Sequence, residues 1–218
     1  KAAGHGTGAA EIRQGLAKAD LIGLGGGSSP RREGEAGEAG NDNIPGVIGG
    51  DRSAIGLPAV QTEWMKKVKA TGKPLVFVNM SGSAVAFRWE AGQADAIIQA
   101  WYGGQETGTA LTDILFGRYN PSGRLPVTFY NATGDLPDFE DYDMSMRTYR
   151  HFDGRVLYPF GYGQSYNTYT YDNLVLPSTV KTGDSIQVSA QVRNRGRHAG
   201  VEVVQLYLSP RGIAGEAP

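Results

Sequence analysis

The chain lacks cysteine, lacks an excess of either charge and lacks any long apolar run, and each absence removes a class of function. Without cysteine there are no disulfides, no thiolate nucleophile and no Cys-type zinc site. Compartment is left open by this, because many periplasmic and secreted bacterial enzymes have no disulfides. Lys and Arg total 21 against 22 Asp and Glu, a net charge of -1. Nucleic acid demands a cationic face, so it is not an expected partner. No stretch approaches the ~20 apolar residues that span a bilayer, and no membrane partner is expected. The opening Lys-Ala-Ala-Gly-His has no Met and no charged-then-apolar layout of a signal peptide, and reads as an internal cut. His5, His151 and His198 lie far apart and lack ligand spacing, so no metal is expected. Gly-x-Ser-x-Gly and Gly-Lys-Ser/Thr are both missing, which argues against a serine-hydrolase elbow and a phosphate loop. No cofactor is expected.

What is there suffices for a packed core: 40% of the 218 residues are hydrophobic, and 32 glycines cluster at connections between apolar runs. Ile12 and Leu16 predict a short amphipathic helix over 8–19, followed by a buried strand Leu21-Ile22-Gly23-Leu24 that runs into Gly25-Gly26-Gly27. Residues 28–50 have no periodicity, and a connection this long in a compact domain is usually functional or disordered. Pro58 suits a helix N1 position, with Val60, Trp64 and Val68 on one face and Gly72 as the stop. Leu75-Val76-Phe77-Val78 predicts a strand covered on both faces, and Ala96 to Trp101 a second. A helix from about Gln105 should point Leu111, Ile114 and Leu115 inward and end at Gly117. Leu125 to Phe129 predicts a further strand. Alternating strands and helices imply a layered α/β fold with a largely parallel sheet. After Pro159 the pattern becomes period-two in 169–176, 185–192 and 203–208, as in a β-sandwich with most of its ~7 strands missing. The expected division is 1–160 and 161–218.

Several blocks then occur in order. They are Gly49-Gly50-Asp51-Arg52 with Leu57-Pro58; Ala100-Trp101-Tyr102-Gly103-Gly104-Gln105-Glu106; Leu115-Phe116-Gly117-Arg118-Tyr119-Asn120-Pro121-Ser122-Gly123-Arg124-Leu125-Pro126-Val127-Thr128-Phe129; and Leu157-Tyr158-Pro159-Phe160-Gly161-Tyr162-Gly163. Together they resemble glycoside hydrolase family 3, of the β-glucosidase and β-xylosidase type, over about Ala19 to Leu208. The resemblance implies a C-terminal α/β sandwich domain, its N-terminal part missing, and then the start of a fibronectin type III-like domain.

Residues 28–51 carry Glu33, Glu35 and Glu38 among glycines. By composition alone these read as solvated side chains. Glycosidic cleavage, however, needs a carboxyl that can hold a proton and give it to the leaving oxygen, and a second carboxyl that attacks or activates water. Members of the resembled family often read Ser-Pro-x-Leu-Glu-Gly-Glu-Glu here. Ser29-Pro30-Arg31-Arg32-Glu33-Gly34-Glu35-Ala36 is similar, with Arg32 and Ala36 as departures. The resemblance implies Glu35 as the acid/base, with Glu33 as the alternative, and a nucleophilic Asp on an N-terminal barrel domain of the same protein. Arg32, Trp101 and Tyr102 are the candidates for sugar contact, the last two because crevices lie at the C-terminal ends of parallel strands. Arg52 is expected to engage a carboxylate and so fix the far end of the loop.

The substrates so implied are β-glucoside or β-xyloside oligosaccharides, cleaved from the non-reducing end with retention. The periplasm or the cell exterior is the expected compartment, with the cytoplasm as the alternative. The rival reading is a non-catalytic carbohydrate-binding or scaffold module, because no barrel and no nucleophile motif lie in these residues. Asn79-Met80-Ser81 and Asn131-Ala132-Thr133 are glycosylation sequons, the first read as chance because it closes a buried strand.

Overall fold

The computed structural model describes residues 9–28, 47–48 and 51–208. Its elements are α1 (Ala9–Lys18), β1 (Ile22–Gly27), β2 (Val47–Ile48), β3 (Asp51–Arg52), α2 (Ala59–Lys69), β4 (Leu75–Met80), α3 (Arg88–Gln93), β5 (Ala96–Gln99), α4 (Thr107–Leu115), α5 (Thr148–His151), β6 (Tyr169–Val175) and β7 (Ser189–Asn194). They fall into two units, Lys1–Leu111 with Val127–Phe160 and Thr112–Pro126 with Gly161–Pro218.

The first unit has the layered α/β fold that the alternation of strands and helices predicts. Its sheet is parallel, in the order β1-β4-β5. Both crossovers, through α2 and α3, step one strand over in the same direction. Right-handed crossovers then put both helices on one face of the sheet, and α2 does touch α3 and β1. β4 is the central strand, with Leu75 to Asn79 all buried, as expected of a strand covered on both sides. Leu75 and Phe77 join Ile22, Met65 and Val68 in one core cluster. Each such side chain contributes roughly 1.5–3 kcal/mol by leaving water. A second, aromatic cluster continues it: Phe87 meets Phe77, Phe129 and Tyr158 at 6.0–6.1 Å between ring centres.

The inward face of α2 differs from the expected one. Met65 and Val68 are buried, whereas Val60 and Trp64 are exposed. The turn of the helix that faces the sheet is Gln61-Met65-Val68, and a polar residue at its head hides that stripe from a hydrophobicity pattern. In α4, Leu115 is likewise exposed rather than inward. Leu125 to Phe129 is no strand: Pro126 cannot donate to a ladder, and what forms is a single antiparallel bridge between Phe129 and Tyr158.

The second unit carries the antiparallel pair β6–β7. Residues 203–208 form no ladder there, contrary to their alternation. The expected sandwich is thus represented, among the described residues, by this one pair. Side chains stitch the unit together. Asn120 accepts from Ser165 Oγ and Tyr166 N, each at 2.8 Å. Buried Asn167 exchanges two hydrogen bonds with the backbone of His198. Arg124 reaches Glu202 at 2.7 Å, both side chains mostly covered, and Tyr171 OH donates to the same carboxylate at 2.8 Å. No helix among the described residues is long and apolar enough to cross a membrane.

Candidate active site

The crevice rule for parallel sheets directs attention to the C-terminal ends of β1, β4 and β5. There β1 ends in three glycines, and close packing explains two of them. A Cβ on Gly26 would lie 2.6 Å from Gln61 Oε1 and 2.9 Å from the Phe77 ring. Gly27 has φ +121° and its Cβ would lie 1.9 Å from Met80 O, so no L side chain fits. The glycines therefore continue the strand to Gly27, three residues past the expected end at Leu24.

Gln61 on α2 binds Gly27 twice. The Gly27 N–H donates to Gln61 Oε1 at 2.8 Å, and Gln61 Nε2 donates to Gly27 O at 2.7 Å. The side-chain amide thus imitates a neighbouring strand at the last residue of β1. The Ser28 N–H donates to Met80 O at 2.9 Å. These two amides, which a phosphate cradle would need, are already engaged, in keeping with the missing phosphate-loop motif.

Beside them, β4 ends in a buried polar group. Asn79 Nδ2 donates to Gln99 Oε1 at 2.6 Å and to Ser81 Oγ at 3.1 Å. Ser81 Oγ in turn donates to Ser83 O at 2.9 Å. Asn79 Oδ1 is buried without a hydrogen-bond partner, which costs about 1–3 kcal/mol. Arg52 meets the same turn from the other side, donating through Nη2 to Ser83 Oγ at 2.7 Å and to Ala84 O at 3.2 Å. A hydroxyl and a carbonyl, rather than the expected carboxylate, are thus its partners among the described residues.

At the end of β5, the Ala100 N–H still pairs with Asn79 O at 2.8 Å. Trp101 then takes φ +55°, a conformation that costs a non-glycine residue roughly 1–3 kcal/mol. Its ring packs edge-on against Phe129, 6.0 Å between centres. This abrupt turn brings Tyr102 OH to 3.4 Å from Ser28 Oγ, across the end of β4. Of the residues singled out from the sequence, Trp101 and Tyr102 therefore stand together at the strand ends, beside the start of the glutamate-rich stretch. Arg32, Glu33 and Glu35 lie outside the described residues, as does Glu38.

Two well-placed residues escaped the sequence. Gln61 carries a usable signal, a polar residue in helical register with Met65 and Val68. Glu90 is buried in α3 and accepts from Thr62 Oγ1 at 2.5 Å; it stands in no motif.

Residues 2–166 match the Glycosyl hydrolase family 3 C-terminal domain. The chain belongs to glycosyl hydrolase family 3. Among its relatives, the xylan 1,4-β-xylosidase of Xylanibacter ruminicola is 49% identical over 183 residues, covering 84% of this chain and 21% of that protein. The periplasmic β-glucosidase of Salmonella typhimurium is 41% identical over 170 residues, covering 72% of this chain and 22% of that protein. Among solved structures, the β-glucosidase of Bifidobacterium adolescentis superposes with a TM-score of 0.72 at 30% identity, over 86% of this chain and 27% of that one. β-Glucosidase 3B from Thermotoga neapolitana in complex with glucose gives 0.70 at 26%, over 89% and 28%. The chain thus spans about a fifth of the length of the curated family 3 relatives it matches.

Proposed function

We propose that this chain supplies the proton-donating half of a retaining, exo-acting β-glycosidase for terminal β-D-glucosyl or β-D-xylosyl residues. The observation that carries the proposal is positional. The stretch with Glu33 and Glu35 follows Ser28 in the sequence and precedes the β2–β3 ladder, and Ser28 lies at the C-terminal strand ends beside Tyr102. The family's named activities, β-xylosidase and β-glucosidase, supply the reaction class.

In this mechanism Glu35, with Glu33 as the alternative, protonates the glycosidic oxygen as the bond to C1 breaks. An Asp on an N-terminal barrel domain of the same protein attacks C1 and forms the covalent glycosyl-enzyme. The same glutamate, now a carboxylate, then removes a proton from the water that releases the sugar. Arg32, Trp101 and Tyr102 contact the sugar. The segment 161–218 is the linker and the beginning of a fibronectin type III-like domain. The periplasm or the cell exterior is the working compartment, in keeping with a relative named as periplasmic.

The test is Glu35→Gln in the full-length enzyme. Loss of a general acid costs about 10²–10⁴-fold. The loss should be largest on glycosides with poor leaving groups and much smaller on activated aryl glycosides, which leave without a proton. Wild-type rates on both would refute the assignment, and the same pattern in Glu33→Gln would move the role to that residue.

A further inference from the structure

We propose that this chain associates with a second copy of itself, residues 138–146 of one copy seating on the outward face of α2 of the other. Both faces lie in the first unit. Each leaves large apolar side chains in water, and their charges are opposite.

The first face is a loop. Phe139 is 94% exposed and Tyr142 88%, with Met144 and Met146 exposed beside them. The loop that carries these rings is fastened. Arg147 Nη2 donates to Asp138 O and to Asp141 O, and the Asp141 N–H donates to Asp138 O at 3.0 Å. At its end the Thr148 N–H donates to Tyr130 OH at 2.9 Å. Rings held in place before contact lose little freedom when they are covered. Asp138, Glu140, Asp141 and Asp143 accompany them, and no cation stands between Asp138 and Met146.

The second face is the side of α2 turned away from Met65 and Val68. Val60 is 62% exposed and Trp64 46%, one helical turn apart. Lys66, Lys67, Lys69 and Lys73 follow. Lys66 pairs with Glu63 at 2.8 Å and Lys69 with Asp95 at 2.6 Å. Among the described residues no ion pair engages Lys67 or Lys73. Lys67 Nζ lies 5.6 Å from the centre of the Trp64 ring. An apolar platform with surplus positive charge at its edge results.

Loop and helix face match in both respects: rings against Val60 and Trp64, carboxylates against lysines. A basic protein of another kind would suit the loop alone, and an acidic one α2 alone. A second copy suits both. The contact joins unlike faces, so every copy keeps one of each open, and association runs to a ring or a chain. One loop makes a contact at the small end of protein interfaces, so association is weak and sensitive to salt.

Sedimentation velocity on the full-length protein tests this. The mean mass should rise with protein concentration at about 0.05 M salt and fall back toward the monomer at about 0.5 M. Glu140→Lys and Lys67→Glu should each weaken association by about tenfold or more. An equimolar mixture of the two variants should associate again, because each presents the charge that the other needs. Phe139→Ser combined with Tyr142→Ser should abolish association and leave the melting temperature unchanged. A wild type that stays monomeric throughout would overturn the inference. So would charge variants that associate as the wild type does, or a mixture no better than either variant alone. A double ring variant that melts lower while association persists would also sink it, since the rings would then be covered by the rest of the same polypeptide.

Discussion

The two units hold themselves together by different physics. In the first, a central strand buries five consecutive residues, and helices and aromatic rings close over it. In the second, Asn167 is the one buried residue among those described, and Leu174, Val175, Val201, Leu206 and Leu208 are all exposed. Its order comes from Asn120, Asn167 and the Arg124–Glu202 pair, side chains that replace the work of a core. The lesson concerns the signature block 115–129. Its most recognisable residues, Asn120 and Arg124, make hydrogen bonds that hold the second unit together. A motif that identifies a family can be scaffolding.

Mutations can break this contrast. Phe77→Ala removes the ring at the junction of the apolar and aromatic clusters and should cost about 3–5 kcal/mol, read as lost amide protection in β4 and β5. Arg124→Met leaves Glu202 mostly covered with one bond fewer and should cost about 1.5–3 kcal/mol, read in the amides of β6 and β7. An Arg124→Met effect as large as that of Phe77→Ala would erase the distinction between the two kinds of order. The smallest effect should come from Asp95, where the first unit itself uses a charge. The Lys69 ammonium at 2.6 Å, and then the Leu75 N–H at 2.8 Å, hold its carboxyl below the usual carboxylate range. A depressed acid stabilises the fold above its unfolded value and loses that contribution as pH falls through its folded value. Asp95→Asn should therefore flatten the acid side of the stability profile without changing it at neutral pH beyond the modest worth of an exposed pair. Denaturant titrations across acid pH would check this.

Much of the fold was legible because burial on both faces leaves a plain mark. Leu75 to Val78 could hardly be anything but a central strand, and β5 and α4 followed from the same alternation. The failures have particular causes. Gln61 disguised the inward stripe of α2, because its polarity serves Gly27 rather than solvent. Pro126 removed the donor that Leu125 to Phe129 needed for a ladder. Residues 203–208 had the pattern of a strand, but a pattern names a face and not a partner. The crevice rule placed Trp101 and Tyr102 at the strand ends, whereas the strain at Trp101 that turns the chain toward Ser28 is a backbone property with no residue signature. Arg52 was expected to meet a carboxylate, but its partners among the described residues are a hydroxyl and a carbonyl, which leave no charge pattern to read.

Asn79 carries one practical consequence. It begins the sequon Asn79-Met80-Ser81, yet its side chain is fully buried against Ser81 and Gln99. A secretory host that attaches glycans to nascent chains meets that sequon before the sheet forms, and a sugar tree on Asn79 has no room in the folded strand. Asn131, the other acceptor, already spends its amide on Arg155 O. A bacterial host sidesteps both, whereas a yeast or insect line would sort its product into a folding fraction and a glycan-blocked one.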